Sequence, residues 1–189
     1  MANKKNTKRA LADSFLELID DKPLAKISVL DIVKRCGAGR QTFYNHFHDK
    51  YALIGWIFAT EIDEAIKKHG HNDPKSTSED ILRIIKSHSK LFIAVGEDAT
   101  VRQNFIKMYR ILYTILDAYY LSHVQEILGA AEISEEVKFA VNYHCYAFSG
   151  TINEWVQQGC PGSVERIAQL TIQFMPDILQ SFYPPNFLL

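Results

Sequence analysis

The chain has 189 residues, 47% of them hydrophobic, and its formal net charge at pH 7 is −1. This length and composition allow a buried core slightly larger than that of one average domain. The longest uninterrupted apolar stretch, residues 91–95, is far shorter than the roughly 20 residues that a membrane-spanning helix needs. The N-terminus also lacks the apolar core of a signal peptide. We therefore expect a folded, cytoplasmic protein with no membrane partner.

Positive charge is concentrated in the first part of the chain. Residues 1–50 carry ten Lys or Arg against six Asp or Glu, so this segment has a charge of +4 while the whole chain is at −1. Such an asymmetry is typical of a protein in which one segment faces a polyanion, although scattered surface lysines produce it too.

The N-terminal segment has the pattern of three helices. A first helix is predicted over 7–20. Ser28 can cap a second helix that ends near Arg35, the run 36–38 supplies a tight turn, and a third helix is predicted over 40–47. The first helix carries one apolar stripe, formed by Leu11, Phe15, Leu18 and Ile19.

The remainder of the chain is predicted to be helical as well. Ser76 and Glu79 have the spacing of a capping box, and no alternating strand pattern persists anywhere. A helix over 50–69 is expected to connect the two halves. Further helices are expected over 76–95, over 101–128 (one or two helices) and over 134–158. A last helix is expected from 163 on, with a disturbance at Pro176. The predicted fold class is all-α, in two lobes that span 1–50 and 51–189.

The sequence offers no constellation for catalysis or for a metal. A nucleophile with its base, paired carboxylates and ligand clusters are all missing at diagnostic spacings. His69, His71 and Asp73 are the best metal candidates, but an ordinary solvated loop is the favoured interpretation. The cysteines are too far apart for a structural metal site: Cys36, Cys145 and Cys160. We therefore expect no enzyme activity, no cofactor and no metal.

Residues 28–47 have the pattern of a helix-turn-helix, in which two short helices are joined by a glycine-bearing turn. Phe43 and Phe47 are four residues apart and would both pack on the first helix. The other side chains of the third helix then face outward and form hydrogen-bonding groups: Arg40, Gln41, Thr42, Tyr44, Asn45 and His46.

The run 32–47, followed by Lys50 and Leu53, resembles the signature of the TetR/AcrR family of transcriptional regulators, and the resemblance covers about residues 7–58. Two positions depart from it. Gly39 stands where a Ser or Thr usually caps the recognition helix, and Cys36 stands where a small residue, usually Ala, is found. The resemblance implies an N-terminal DNA-binding lobe and a C-terminal bundle that binds a ligand and dimerises.

The resemblance also implies how DNA is contacted. Arg40, Gln41 and Thr42 would meet base edges, which suits their side chains because Arg pairs with guanine, Gln with adenine and the Thr methyl with thymine. Asn45 faces outward beside them. The phosphate contacts would come from Ser28, Tyr44, His46 and Lys50. Alternatively, Tyr44 braces the helix, His46 caps its end and Lys50 is a solvated charge.

In the C-terminal half, small residues alternate with large ones over 143–159, which is typical of closely packed helices. The expected dimer face consists of Ala147, Phe148, Gly150, Thr151 and Trp155. In TetR-type proteins the last two helices of each subunit commonly form a four-helix interface. The run 147–159 is also loosely similar to C-terminal domains of the glycerone-kinase regulator type.

Several aromatic and histidine side chains in this half are candidates for a ligand cavity that is mostly apolar with a few polar groups. They are His88, Tyr109, Tyr113, Tyr143 and His144. Core positions are the alternative for each residue singly, because tyrosines at helical spacing usually belong to a core.

The sequence thus predicts a homodimeric repressor that binds a palindromic operator in double-stranded DNA and is released by a small-molecule effector, aromatic or amphipathic in character. The alternative is a TetR-like coactivator or adaptor that acts through a protein partner.

Overall fold

The computed structural model describes residues 4–70, 73–97 and 102–183, and over these ranges the chain is helical with no β-strand. A short 3-10 turn, Leu24–Lys26, separates the first two helices. The α-helices are α1 (Lys4–Asp21), α2 (Val29–Arg35), α3 (Arg40–Tyr44), α4 (Lys50–His69), α5 (Pro74–Ser87), α6 (Ser89–Glu97), α7 (Arg102–Leu128), α8 (Glu135–Gln157), α9 (Val164–Gln173) and α10 (Asp177–Gln180). The predicted all-α class is confirmed.

The N-terminal lobe consists of α1, α2, α3 and the first half of α4. Its core contains the predicted stripe of α1, in which Leu11 and Phe15 are fully buried, and Phe43 of α3 packs into the same cluster. Helix α3 has only five residues. Because so short a helix is not stable alone, the burial of Phe43 is what holds α3 in place.

The body of the protein consists of the second half of α4 together with α5 and α7–α10. Its core is a second cluster, to which α5 contributes Leu82 and Ile85, α7 contributes Leu116, and α8 contributes Val141. Helices α7 and α8 pack against each other, and α9 packs on α5. Helix α6 contacts both clusters: its Leu91 and Val95 are buried in the cluster of the N-terminal lobe, and the helix also packs against α7 and α8 of the body.

Helix α4 belongs to both clusters. Leu53 and Phe58 are buried in the N-terminal cluster, and Ile62 and Ala65 are buried in that of the body. The hydrophobic contacts therefore change over between Phe58 and Ile62, inside the helix. The division of the chain at residue 50 and the connector over 50–69 stay predictions.

Several predicted helix boundaries differ from the structure. The first helix, predicted over 7–20, spans Lys4–Asp21, and the third, predicted over 40–47, ends at Tyr44. The expected capping box at Ser76 and Glu79 is not used, because Asp73 caps α5 by accepting a hydrogen bond from the Ser76 amide at 2.9 Å and Pro74 occupies the first turn. The predicted helix over 76–95 is two helices, which meet at His88. The disturbance at Pro176 is confirmed, since α9 ends at Gln173 and α10 begins at Asp177.

None of the helices in the described part of the chain is both long and apolar enough to cross a membrane. Over the same residues, no group of His, Cys, Asp and Glu side chains is arranged to hold a metal ion. His69 pairs with Asp80 at 2.8 Å, and His71 lies outside the described residues.

Candidate DNA-binding surface

Helix α2 begins with a complete capping box. The Asp31 amide donates to the Ser28 hydroxyl at 3.2 Å, and the Ser28 amide donates to the Asp31 carboxylate at 2.8 Å. These bonds, together with Lys22 at 3.0 Å, hold the pKa of Asp31 well below its usual range. Ser28 is exposed at the start of the helix, its hydroxyl also donates to the Asp31 carboxylate at 2.7 Å, and its contact with a phosphate stays a prediction.

The turn between α2 and α3 places the second helix of the motif. Gly37 has a φ of +68°, a left-handed conformation that a glycine adopts without strain, and the Ala38 amide donates to the Val33 carbonyl at 2.8 Å. Gly39 then caps α3 without a side-chain hydrogen bond, in ordinary extended backbone with a φ of −88°. With Gly in place of Ser or Thr at this position, α3 lacks a side-chain cap hydrogen bond, but the helix still begins at Arg40.

The outer side of α3 is polar and accessible. Arg40, Gln41, Tyr44 and Asn45 are exposed, and Thr42 and His46 are half-buried. The Gln41 amide donates to the Asn45 side-chain oxygen at 3.0 Å, which fixes how the two side chains point. Arg40 makes no hydrogen bond or ion pair with the described residues, so its five donors are available to a base or a phosphate.

Tyr44 combines the two roles that the sequence left open. Its ring packs edge-on against Phe43, with 5.6 Å between the centroids, while half of its surface remains exposed. The ring thus braces α3 and the hydroxyl stays accessible. His46 similarly rests against Phe47, with 6.3 Å between ring centroids.

Lys50 is placed differently from the simple phosphate contact that we expected. Its ammonium donates to the carbonyl of Leu24 at 2.7 Å and to that of Ile27 at 3.0 Å. These bonds fasten the start of α4 to the segment that leads into α2. Lys50 thus anchors the inside of the lobe, and its predicted contact with a phosphate stays a prediction.

A second surface of interest lies on α8 and α9. Phe139, Tyr143 and Tyr146 of α8 are each more than half exposed, and Phe174, directly after α9, is 76% exposed. Sequence analysis missed Phe139 and Phe174. The spacing of the α8 aromatics at i, i+4 and i+7 was the available signal, because it places them on one helical face.

A groove of about 330 Å³ lies beside these aromatics, between α8 and α9. Ala147 and Thr151 line it, and its walls include Leu170 and Phe174. We call the exposed aromatics and this groove the α8–α9 face.

Three of the five expected dimer residues lie on the accessible side of α8: Ala147, Gly150 and Thr151. The other two need correction. Phe148 and Trp155 are each only 5% exposed and pack in the core of their own chain, and the Trp155 indole donates to the Pro161 carbonyl at 2.8 Å. Sequence analysis assigned these two large side chains to the dimer interface, whereas they pack in the core of the body.

The four predicted pocket residues whose side chains the structure describes do not share one location. His88 lies between the two lobes, and Tyr143 is exposed on the α8–α9 face. The Tyr113 hydroxyl donates to Asn142 at 2.8 Å, and its ring packs on Tyr146 with 4.7 Å between centroids. His144 is buried against Tyr120 at 3.0 Å and lines the groove. The side chain of Tyr109 lies outside the described part of the structure.

Comparisons with known proteins agree with this arrangement. Residues 13–55 match the family model of bacterial regulatory proteins of the tetR family, and residues 72–177 match that of a transcriptional regulator C-terminal region. YvdT, an uncharacterized HTH-type transcriptional regulator of Bacillus subtilis, is 31% identical over 141 residues, which are 70% of each chain. The HTH-type dhaKLM operon transcriptional activator DhaS of Lactococcus lactis is 37% identical over 60 residues, so that match spans only 32% of each protein.

Solved structures share the fold. The dihydroxyacetone kinase operon activator DhaS has a TM-score of 0.65 at 21% identity, over 93% of this chain and 97% of that one. A TetR transcriptional regulator from Streptococcus agalactiae has a TM-score of 0.58 at 19% identity, over 91% and 94% of the two chains. The matching families and relatives are regulators rather than enzymes. The chain therefore belongs to the TetR family of bacterial regulatory proteins, and it is a DNA-binding transcriptional regulator.

Proposed function

We propose that this cytoplasmic regulator binds a palindromic operator as a homodimer, with α3 of each subunit in one of two successive major grooves. The observation that carries this proposal is the outer side of α3, where Arg40 and Gln41 are exposed on a helix that Phe43 fixes to the core. A guanidinium and an amide held on a rigid support suit the donor and acceptor pattern of base edges. Thr42 and Asn45 belong to the same surface, and Ser28, Tyr44 and His46 are placed to contact phosphates.

Footprinting on DNA from beside the protein's own gene, at two salt concentrations, tests this proposal. We expect a protected, roughly palindromic site, and we expect the double variant Arg40→Ala/Tyr44→Ala to lose it. Lys90→Ala, on the exposed side of α6, is the matched control that should keep it. Salt-sensitive binding without a protected site would contradict sequence-specific recognition, because phosphate contacts alone produce that behaviour.

The α8–α9 face supports the homodimer. A two-fold interface brings the same patch of both subunits together, so the patch must be complementary to itself. Here a protruding Phe174 borders an apolar groove, and a second copy offers the same projection and the same groove. Exposed aromatics on this scale are typical of an interaction site. We place Ala147, Gly150 and Thr151 in the same interface.

Sedimentation of a Phe174→Asp variant tests the interface. A charge in a closely packed apolar contact is costly, so we expect this variant to be monomeric and to lose high-affinity operator binding. Ile127→Asp is the control, since Ile127 is 51% exposed on α7 and lies outside the α8–α9 face. A dimeric Phe174→Asp variant, or equal loss of dimer in both variants, would contradict this interface.

We further propose that the protein represses transcription and that a small aromatic or amphipathic effector releases it. An effector acts only if it binds the DNA-competent arrangement of the lobes more weakly than another arrangement. Compounds of this class would be selected by their stabilisation of the protein against heat and then titrated into the operator complex. A compound that stabilises the protein and leaves operator affinity unchanged would count against release.

The second candidate is a regulator that activates transcription through a protein partner. The similarity to DhaS favours it, because that protein is named an operon activator. Transcription in vitro distinguishes the two candidates. A repressor lowers transcription from its own operator with purified polymerase, whereas an activator raises it, and an adaptor does so only when its partner is added.

A further inference from the structure

The two lobes are joined by a specific polar contact as well as by apolar packing. Glu61 lies on α4, and His88 lies where α5 ends and α6 begins; the Glu61 carboxylate and the His88 Nε2 are 2.9 Å apart. Both side chains are largely removed from solvent, at 28% and 16% exposure. On α4, Glu61 lies between Phe58 of the N-terminal cluster and Ile62 of the body cluster. The contact therefore lies at the level where one core gives way to the other.

Aromatic contacts fix the imidazole at this junction. The His88 ring packs edge-on against Phe58, with 5.3 Å between centroids, and Phe58 packs in the same manner on Phe92 of α6 at 4.7 Å. The buried residues Leu82 and Ile85 before His88 belong to the body cluster, and the buried residues Leu91 and Val95 after it belong to the N-terminal cluster. A bond from His88 to α4 thus fixes where the chain passes from the body to the lobe.

The orientation of the lobe matters to a dimer that contacts DNA twice. The half-sites that two recognition helices read are separated by about 34–36 Å, and a rotation of either lobe changes the distance between the helices. A hydrogen bond to a carboxylate that is shielded from water restrains such a rotation more strongly than an exposed ion pair does.

We propose that the Glu61–His88 contact is a positioning pair that sets the orientation of the N-terminal lobe on the body and thereby selects the half-site spacing at which the protein binds DNA. The part of the proposal that concerns spacing rests on the homodimer proposed above. The part that concerns the lobe within one subunit does not depend on the homodimer.

The chain contains a matched control for this pair. His69 and Asp80 form a second contact between an imidazole and a carboxylate, at 2.8 Å and with exposures of 17% and 21%. It joins the far end of α4 to α5, so both partners belong to the body. A general loss of stability should follow from breaking either pair, whereas a change in lobe orientation should follow only from breaking the Glu61–His88 contact.

The experiment compares His88→Leu, Glu61→Leu and their double variant with His69→Leu, because a Leu side chain makes no hydrogen bond. Binding would be measured on a series of palindromes whose half-sites are separated in steps of one base pair, and hydrogen exchange in α6 would be followed in the free protein. We expect His88→Leu to bind the preferred spacing at least fivefold more weakly, to lose most of its discrimination between spacings, and to exchange faster in α6. The double variant should lose no more than either single variant, because both remove one interaction.

His69→Leu should keep the spacing profile and the α6 exchange of the parent protein. Unchanged α6 exchange in His88→Leu would overturn the proposal, and so would equal changes in His88→Leu and His69→Leu. A parent protein that shows no spacing preference would contradict the homodimeric operator, and the α6 exchange would still decide whether the pair fixes the lobe.

Discussion

Tyr120 and His144 join α7 to α8 inside the body, where the phenol oxygen and the imidazole Nε2 are 3.0 Å apart and the rings pack edge to face at 5.1 Å. Burial lowers the pKa of His144 to about 4 and raises that of Tyr120 well above its usual value. Both groups are therefore neutral near pH 7.

This burial predicts a loss of stability in mild acid. The unfolded chain binds a proton at His144 below its ordinary pKa of 6.5, whereas the folded chain resists protonation down to about 4. Stability should thus be complete above 6.5 and fall as the pH drops toward 4, by on the order of 3 kcal/mol for this group. Urea unfolding at a series of pH values measures it.

The variant His144→Gln isolates that effect, because an amide accepts the Tyr120 hydrogen bond and does not titrate. We expect its stability to depend less on pH between 6.5 and 4.5, while the exposed-site control His48→Gln should follow the parent. Carboxylates with lowered pKa values, such as Asp31 and Asp80, lose their contribution only in stronger acid. An identical slope in His144→Gln and the parent would exclude the assignment.

Lys50→Ala should weaken the N-terminal lobe. The substitution removes the Lys50 donor from the carbonyls of Leu24 and Ile27. The Leu24 carbonyl keeps its bond from the Ile27 amide at 3.1 Å, whereas the Ile27 carbonyl loses a partner, which costs about 1–3 kcal/mol. Urea unfolding should show this loss, whereas the salt dependence of DNA binding should stay as in the parent. If the salt slope instead drops by about one counterion while stability is unaffected, Lys50 is a phosphate contact.

Arg40→Ala should weaken binding to the operator by about 1 to 3 kcal/mol and relax the preference at one base pair in each half-site. The reason is that Arg40 is exposed on α3 and makes no hydrogen bond or ion pair with the described residues. Binding to a library of operator variants measures both effects. Lys34→Ala, on α2, is a control for loss of charge alone, and an unchanged sequence profile in Arg40→Ala would remove this residue from base recognition.

Gly39→Ser should stabilise the protein by a few tenths of a kcal/mol, since Ser is the better cap. The backbone at Gly39 is extended with a φ of −88°, and an added Cβ meets no atom within 4 Å. Gly37→Ser is the contrasting variant, because its φ of +68° costs an L residue about 1–2 kcal/mol. The midpoints of thermal unfolding of the two variants should shift in opposite directions. A destabilised Gly39→Ser variant would show that the missing side-chain cap does not reduce the stability of α3.

The DNA-binding motif was predictable because its determinants are local. Phe43 and Phe47 are one helical turn apart, and Gly37 marks the turn before them, so neighbouring residues alone define the inner and outer sides of α3. Lys50 escaped prediction because its partners, Leu24 and Ile27, are carbonyl groups, which the side-chain pattern does not reveal.

Helix α8 shows why the second half was harder. It carries large apolar residues on both faces, with Phe148 and Trp155 in the core and Phe139 and Tyr143 exposed. Periodicity separates the two faces but does not say which one the neighbouring helices cover. That choice depends on the packing of α7 against α8. For the same reason, the predicted pocket residues share chemical character without sharing a location.

Because α4 contributes residues to both hydrophobic clusters, the DNA-binding lobe of one such regulator cannot simply be joined to the body of another. A hybrid joined at residue 50 would set Leu53 and Phe58 from one parent against α1–α3 from another, and a hybrid joined near residue 70 would do the same to Ile62 and Ala65. Either crossover leaves one core with mismatched shapes. Exchange of operator preference between relatives therefore requires repacking along α4, so the DNA-binding lobe and the body of each regulator should diverge together.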